Sequence, residues 1–410
     1  MFLKPEVKIT LEQARTYWAM RQGLSTPFKG GIADVLRAAG WIYSAGSTLP
    51  YLAFRARLPG IDRVTIDRAI FDAESVLEVP TVRGCAMLVP AEDVSLALPG
   101  GRQFFTKYLE KIRKACNVTD REVRDLSTAI AALLKSSPMS KETLHERLPA
   151  NLVRSFGSSG RSFGERSTLT YALRHLQSQA IVQRTASDHR LDSDLHTYRL
   201  LKPDLVKQLS QEEVENGLAR RFFGWAAPAT LKEFAWWAGI SQKDARSIVR
   251  RIGLTSISVE GFAGEAWIPA EQVDSLRSAR SGKNDTAFTL LPCRDNYLYF
   301  RRTLGAFLDA ADRSAVVLDW MGNPASLGEL NSLHHNAIVS SGRLVGYWEY
   351  DPEAGEIVWR TFSHTGSHAQ REIKEKVAEM NKFIRSQLGD VAFYPFDRGK
   401  NRRQRIDSLK

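Results

Sequence analysis

Cysteine is scarce in this sequence, and long apolar runs are missing from it. The chain has 410 residues and three scattered cysteines, Cys85, Cys116 and Cys293, none in a Cys-x-x-Cys pair. This excludes a zinc finger or a disulfide framework and is typical of a reducing cytosol. No run of about 18 apolar residues occurs, so we expect no membrane span. The charged opening MFLKPEVKIT does not fit a signal peptide, and we expect a cytoplasmic protein.

No pattern for nucleophilic catalysis or for metal or phosphate binding stands out either. The one Gly-x-Ser-x-Gly string, Gly160–Gly164, lies within a Gly/Ser-rich stretch and does not stand out as a nucleophile motif. The Gly/Ser-rich stretch 156–166 lacks the Lys-Ser/Thr ending of a P-loop, so we interpret it as a flexible loop. His334 and His335 are adjacent and have no ligand set beside them, so we predict no metal and no cofactor. Trp236 and Trp237 are expected to pack in a core.

The charge balance is basic. With 57 Lys+Arg against 46 Asp+Glu, the formal net charge is +11 and the isoelectric point is about 9.5. Such a chain favours a polyanionic partner, because binding it releases counterions. The C-terminal stretch 393–410 is especially basic, and we predict a disordered tail that adds sequence-independent affinity.

Three consecutive helix starts identify one module. Each start has Ser or Thr at the cap and an acidic residue three positions later, a pattern that satisfies backbone donors: Ser210/Glu213, Thr230/Glu233 and Ser241/Asp244. A predicted hairpin follows, with strands at 254–259 and 265–269 around a Gly-rich turn. Three short helices and a hairpin are typical of a winged helix, which we assign to residues 208–280.

The same order of elements is predicted once more upstream. A capping box at Thr119/Glu122 starts a helix, and further helices are predicted at 141–148 and 167–178. Strands around 181–184 and 198–201 complete a second winged helix over residues 118–207.

The remaining segments complete an α+β fold of tandem winged helices and a β-rich C-terminal domain. In a winged-helix-like module over 1–117, we predict helices at 10–22, 32–39, 64–74 and 107–116, an extended segment leading to 54–57, and a strand pair around 80–90. For 281–392 we predict strands at 289–291, 315–318, 344–348 and 356–359 and a closing helix at 369–388.

Two helices carry candidate DNA contacts. Lys243, Arg246 and Arg250 recur at i, i+3 and i+7, on the helix that a helix-turn-helix places in the major groove. An ordinary solvated face is an equally open interpretation of them. In the second module, Tyr171 and Arg174 suit phosphate contact better than base readout.

Several phrases, in order, resemble the AlkZ/YcaQ family of winged-helix DNA glycosylases. They are Arg21–Leu24, Leu52–Leu58, Val82–Val89, Ala227–Thr230, Phe234–Gly239, Leu290–Pro292 with Asp295 and Tyr297, and Gly342–Trp348. The resemblance implies a bacterial protein whose winged helices form a cradle around duplex DNA and which excises alkylated or crosslinked bases. We assign further DNA contacts to Arg55, Arg57, Arg83 and Arg166.

The family's catalytic motif, Gln-x-Gln or Gln-x-Asp, falls by this resemblance on Tyr43-Ser44-Ala45. The family's side chains position a water and stabilise the developing oxocarbenium ion, and both polar anchors are replaced here. A family histidine also becomes Met87. We therefore name Tyr43, Ser44 and Ser47 as a divergent catalytic site, in which a hydroxyl would hold the water.

Two functions remain open at this stage, and a third ranks last. The first is an N-glycosylase for alkylated or crosslinked duplex DNA with a weak excision site. The second is a non-enzymatic winged-helix DNA binder, either a lesion sensor or a transcription regulator. Regulators are usually dimers, and no dimerisation helix is evident, so we expect a monomer without a protein partner. RNA binding ranks last, because no stacking-platform motif was recognised.

Overall fold

The computed structural model describes residues 7–44, 47–280, 288–363, 365–391 and 400–410. Helices and several small sheets alternate along the chain, as expected for an α+β protein. The described residues belong to two compact units, one formed by 1–66 with 219–410 and the other by 67–218. The described residues up to Ile66 therefore belong with the C-terminal half of the chain, which the division into consecutive modules did not predict.

The first half of the chain holds eight helices and seven strands among its described residues. They are β1 (Lys8–Ile9), α1 (Leu11–Arg21), α2 (Ile32–Ala39), β2 (Ile42–Tyr43), α3 (Leu49–Arg57), α4 (Arg63–Phe71), β3 (Val76–Pro80), β4 (Ala86–Pro90), α5 (Val94–Ala115), α6 (Asp120–Leu134), β5 (Met139–Ser140), α7 (Lys141–Arg147), α8 (Thr168–Ser178), β6 (Val182–Ala186) and β7 (His196–Leu200).

The second half continues with seven helices and nine strands in the part that the structure describes. They are α9 (Gln211–Ala226), β8 (Ala229–Thr230), α10 (Leu231–Ala238), α11 (Gln242–Arg251), β9 (Thr255–Val259), β10 (Glu265–Ile268), α12 (Val273–Ser278), β11 (Phe288–Leu291), α13 (Asn296–Tyr299), β12 (Val316–Leu318), β13 (Pro324–Ser326), β14 (Asn336–Ser340), β15 (Arg343–Asp351), β16 (Glu356–Thr361), α14 (Ser367–Phe383) and α15 (Lys400–Asp407).

The three helix starts predicted from capping pairs are confirmed in α9, α10 and α11. The side chain of Thr230 accepts from the Glu233 N–H, and Glu233 accepts in return from the Thr230 N–H. Ser241 accepts from the Asp244 N–H at 3.1 Å. The hairpin of β9 and β10 follows, and its sheet has the order β1-β9-β10-β8. Strand β1 adds to β9 in parallel, so Lys8 and Ile9 extend the sheet of this module.

The C-terminal part of this unit is β-rich, as predicted. A four-stranded antiparallel sheet has the order β11-β14-β15-β16, and β12 pairs with β13. Helix α14 follows the sheet and buries Ile373, Met380 and Phe383. Within the described residues, no helix is both long enough and apolar enough to cross a membrane.

The other unit contains the second set of predicted elements. Helices α6, α7 and α8 share one apolar core with the sheet β5-β7-β6, which includes Leu126, Ile130 and Leu173. The predicted capping box of Thr119 and Glu122 starts α6. Strands β3 and β4 pair antiparallel, and α5 starts at Val94 rather than near residue 107.

Two expectations about local structure were wrong. Residues 49–57 form helix α3 rather than an extended segment. The sequence did not reveal this helix, because seven of its nine residues are buried and no amphipathic period marks it. The C-terminal residues 400–410 are not disordered, since α15 packs against β15 and buries Arg402, Arg405 and Ile406. The preceding part of the predicted tail, 393–399, lies outside the described residues.

Candidate nucleic-acid interface

Helix α11 presents the basic face that the sequence predicted. Ala245, Ile248 and Val249 are buried on its inner side. Lys243, Arg246 and Arg250 are exposed on the opposite side. The three cations are therefore accessible to an anionic partner, as a reading helix requires.

Arg57 does not lie at a surface. Its guanidinium is 1% exposed and forms two 2.7 Å bonds to the carboxylate of Asp295. It also donates to the Gln22 side chain at 3.0 Å. The assignment of Arg57 to DNA contact was therefore wrong, since a buried guanidinium held by a carboxylate cannot reach a phosphate.

Arg55, two residues earlier on α3, has a different environment. Its side chain is half-buried, lies over the Phe383 ring at 5.2 Å and donates to the Ile61 carbonyl at 2.9 Å. An arginine with its stem packed and part of its surface in solvent can still take part in phosphate contact. The prediction for Arg55 stays open.

The predicted catalytic site of Tyr43, Ser44 and Ser47 is called the slot below. Its serine hydroxyls are buried. Ser44 is fully buried, and the hydroxyl of buried Ser47 donates to the Ser44 carbonyl at 2.7 Å. The Thr48 hydroxyl, also buried, has no hydrogen-bond partner among the described residues. Tyr43 is half-buried at the end of β2, and Ala45 lies outside the described residues. Of the three named residues, Tyr43 has the most accessible side chain.

A cation lies beside Tyr43. The Cζ atom of Arg294 is 5.6 Å from the centroid of the Tyr43 ring. Both residues line a shallow depression, in which Asp295 provides the only carboxylate among the described lining residues. Asp295 is engaged by Arg57, so it is not available to activate a water. The site therefore offers aromatic surface and positive charge. Among its described lining residues, the carboxylate of Asp295 is engaged by Arg57, and the amide of Asn296 donates to the carbonyls of Ala39 and Trp41.

The candidate DNA contacts of the other unit also include one buried and one partly exposed residue. Tyr171 is 4% exposed and packs in a core with Leu109 and Phe156, so its assignment to DNA contact was wrong. Arg174 forms an ion pair with the buried Glu165 and lies 5.7 Å from the ring of Tyr108. These contacts orient its guanidinium, but the Arg174 side chain is 44% exposed, so its prediction of DNA contact stays open.

Arg166 and Arg83 remain near the surface of this unit. Arg166 is exposed, and Arg83 is half-buried with a positive φ of 59°. The loop 156–166 has internal hydrogen bonds, from the Phe156 N–H to the Arg166 carbonyl at 2.9 Å and from the Glu165 N–H to the Gly160 carbonyl at 3.0 Å. Both predictions of DNA contact stay open.

Sequence reasoning missed an aromatic surface next to Tyr43. Trp237 is in the core as expected, but Trp236 is half-buried and packs edge-on against Tyr299 at 5.0 Å. His335 is buried and bonded to Glu349, whereas His334 stacks on the Trp320 ring at 5.3 Å. No group of three metal-ligating side chains was found among the described residues. The one sequence signal for this aromatic surface was the total of nine tryptophans.

Comparisons with known proteins agree with this architecture. The family model of the DNA glycosylase AlkZ-like family matches residues 46–383, which is most of the chain. The match begins just after residues 43–45, where the resemblance places the catalytic motif. The structure also matches Streptomyces sahachiroi DNA glycosylase AlkZ with a TM-score of 0.70 and 21% identity, over 92% of this chain and 97% of that one. That likeness concerns the fold. A search of curated proteins found no match. The chain belongs to the AlkZ-like DNA glycosylase family, which confirms the resemblance.

Proposed function

We propose that this protein binds duplex DNA, recognises alkylated or crosslinked bases and excises them slowly. Membership of the AlkZ-like DNA glycosylase family, over residues 46–383, is the observation that carries the proposal. We further propose that it works as a monomer in the bacterial cytosol and needs no cofactor. A mass measured by light scattering would check the oligomeric state.

The surface charge of the described helices supports DNA binding. Lys243, Arg246 and Arg250 form one exposed face of α11, and the net charge of the chain is +11. Arginine and lysine on a reading helix contact bases and phosphates, and the phosphate contacts supply most of the affinity. A winged helix formed by α9, α10, α11 and the β9–β10 hairpin would present this face to the major groove.

The slot supports slow excision. Bases alkylated at N7 or N3 are already cationic and leave with little acid assistance, so positioning alone provides some catalysis. The oxocarbenium ion, however, needs negative or dipolar groups beside it, and Tyr43 instead has Arg294 beside it. Losing a stabilising group of this kind costs roughly two to three orders of magnitude in rate.

A non-enzymatic lesion binder is the second candidate, and the Arg294–Tyr43 contact is the observation that favours it. A cation close to the reacting sugar raises the energy of an oxocarbenium ion. The same cation would not weaken binding to a phosphate backbone. The two candidates therefore share an interface and differ in turnover.

One assay distinguishes the two candidates. Duplexes carrying N7-methylguanine, N3-methyladenine or an interstrand crosslink are incubated with excess protein, and abasic sites are detected. We expect slow release that is lost in Tyr43→Phe/Ser44→Ala, because this double substitution removes the Tyr43 hydroxyl, on the most accessible side chain of the slot, together with that of the adjacent Ser44. Binding without release would favour the lesion binder. Fast release that the double substitution leaves unchanged would show that the site lies elsewhere.

A further inference from the structure

The unit formed by residues 67–218 contains a cavity of about 130 Å³, lined by residues of β3, β6, α5 and α8 among others. We call it the α5–α8 cavity. Much of its lining is apolar and includes Val79, Leu98, Phe105, Val182 and Leu201. A cavity of roughly 150 Å³ admits benzene in another protein, so this one has room for a body of about one ring.

Arg174 supplies a cation to the lining of this cavity. Its Nε atom forms the ion pair with the buried carboxylate of Glu165, and its Cζ atom lies 5.7 Å from the Tyr108 ring centroid. The two terminal amino groups have no hydrogen-bond partner among the described residues. These two groups are the fork with which arginine binds a carboxylate through two parallel hydrogen bonds.

A buried amide in the same lining is a second donor. Gln183 is 8% exposed, and its side-chain oxygen accepts from the guanidinium of Arg199 at 3.0 and 3.3 Å. Because the oxygen is engaged there, the nitrogen is the part of the amide left over, and it has no hydrogen-bond partner in the described part of the chain. A buried donor without an acceptor costs free energy, which a ligand oxygen would recover.

The ion pairs around the cavity leave one positive charge in excess. Glu78 also lines the cavity, but Arg184 donates to its carboxylate at 2.8 Å and balances its charge. Next to them, Glu74 is the carboxylate partner of both Arg199 and Lys202. One carboxylate balances only one of these two cations, so this group favours an anionic ligand over a neutral one.

We propose that the α5–α8 cavity binds a small monocarboxylate whose apolar body is about the size of the benzoate ring. Arg174 and Gln183 supply donors for the carboxylate, and side chains such as Phe105 and Leu98 enclose the apolar body. The half-buried position of Arg174 leaves the cavity accessible from solvent. The proposal goes beyond the proposed function and does not depend on DNA binding.

The test compares four probes on the full-length protein. Benzoate has the ring and the charge, benzamide has the ring without the charge, acetate has the charge without the ring, and inorganic phosphate is a second anion without an apolar body. Calorimetry measures each dissociation constant. The rise in Tm with ligand concentration is an independent measurement, because a ligand that binds only the folded chain stabilises it.

We expect benzoate to bind at least about tenfold more tightly than benzamide or acetate, because it alone uses both the charged hydrogen bonds and the apolar walls. Phosphate should bind more weakly than benzoate, since apolar walls do not replace the water that it loses. This probe series needs no substitution, so it does not depend on the folding of any variant.

Three substitutions place the site. Arg174→Gln should weaken benzoate binding about tenfold and leave benzamide within twofold, whereas Arg174→Lys should recover part of the affinity, because it keeps the charge without the fork. Ala86→Leu, at a half-buried lining position, fills the cavity and should weaken both ring probes. Arg124→Gln removes the same charge from an exposed position on α6 and is the matched control.

The results divide clearly. Benzamide that binds as tightly as benzoate would overturn the assignment to a carboxylate. Equal affinities for benzoate, acetate and phosphate would show a general attraction of anions and overturn the site. The same holds if benzoate does not bind, or if Ala86→Leu and Arg174→Gln bind it as the wild type does. Because Arg174→Gln leaves Glu165 buried without its partner, the Tm without ligand is recorded for every variant, and Ala86→Leu decides the location if Arg174→Gln does not fold.

Discussion

Arg57 and Asp295 lie 238 positions apart in the sequence and form a buried ion pair. Two hydrogen bonds join them, each with an N–O distance of 2.7 Å. Each residue belongs to a phrase that resembles the glycosylase family, and the pair brings those phrases into contact. It joins the last turn of α3 to the cap of α13. Because Arg294 precedes Asp295, the ion pair also positions the cation beside Tyr43.

The first prediction concerns the stability that this ion pair maintains. Arg57→Ala should lower the free energy of unfolding by about 3–5 kcal/mol, because it leaves the buried Asp295 carboxylate without its partner. Denaturant unfolding measures the change. Arg57→Met/Asp295→Leu should be less damaging than either single substitution, since it removes both charges.

A surface pair provides the control for that experiment. Lys376 and Glu379 lie on α14 with side-chain exposures of 43% and 62%. Lys376→Ala should change the free energy by at most about 1 kcal/mol. A similarly small effect of Arg57→Ala would show that the buried pair does not form in solution.

The second prediction concerns pH and the C-terminal helix. Burial alone raises the pKa of Asp351, but hydrogen bonds from Lys410 and Arg403 outweigh it and lower the pKa of that carboxyl. His335 and Arg405 likewise outweigh the burial of Glu349 and lower its pKa. Carboxyl groups with pKa values below those of the unfolded chain stabilise the fold above about pH 4.5 and lose that contribution as the pH falls.

Thermal unfolding between pH 7 and pH 3 tests this linkage. The Tm of the wild type should decline steeply below about pH 4.5, and that of Asp351→Asn should be lower at pH 7 and decline less. Deleting residues 400–410 should reproduce the loss at pH 7. Identical pH profiles for wild type and Asp351→Asn would contradict the role given to this contact.

The third prediction concerns the basic face of α11. Replacing Lys243, Arg246 and Arg250 by alanine should weaken duplex binding and reduce the slope of log K against log salt by up to about 3, if each contacts one phosphate. Titrations at several salt concentrations measure the slope.

A charge-matched variant makes the comparison strict. Arg371, Lys374 and Lys382 are exposed on α14, and their alanine triple variant removes the same charge from another helix. It should change the slope much less. Equal effects of the two triples would mean that net charge, rather than this face, determines binding.

The fourth prediction restores the family motif. Tyr43→Gln/Ala45→Asp should raise the rate of excision of N7-methylguanine at least tenfold, because an amide and a carboxylate would again position water and stabilise positive charge. Single-turnover assays measure the rate. Tyr43→Phe is the control and should give no gain. An unchanged rate despite normal DNA binding would show that the motif belongs at other positions.

Local chemistry could be predicted from the sequence where a few neighbouring residues decide the structure. The capping pairs Thr119/Glu122 and Thr230/Glu233 predicted the starts of α6 and α10, because a cap is satisfied within four residues. The β9–β10 hairpin followed from its alternation and its glycines. Helix α3 was missed, because it is buried nearly all round and has no side-chain cap.

Contacts between distant residues decided what the sequence could not. Arg55 and Arg57 are two positions apart, yet only Arg57 meets a buried carboxylate, and Asp295 is far along the chain. Arg403 and Lys410, expected in a free tail, pair with Asp351. The sequence by itself determined the helix starts, the basic balance and the family resemblance. Tertiary structure alone decided which cations face solvent, because the energy of a charge depends on the partner and the burial that folding gives it.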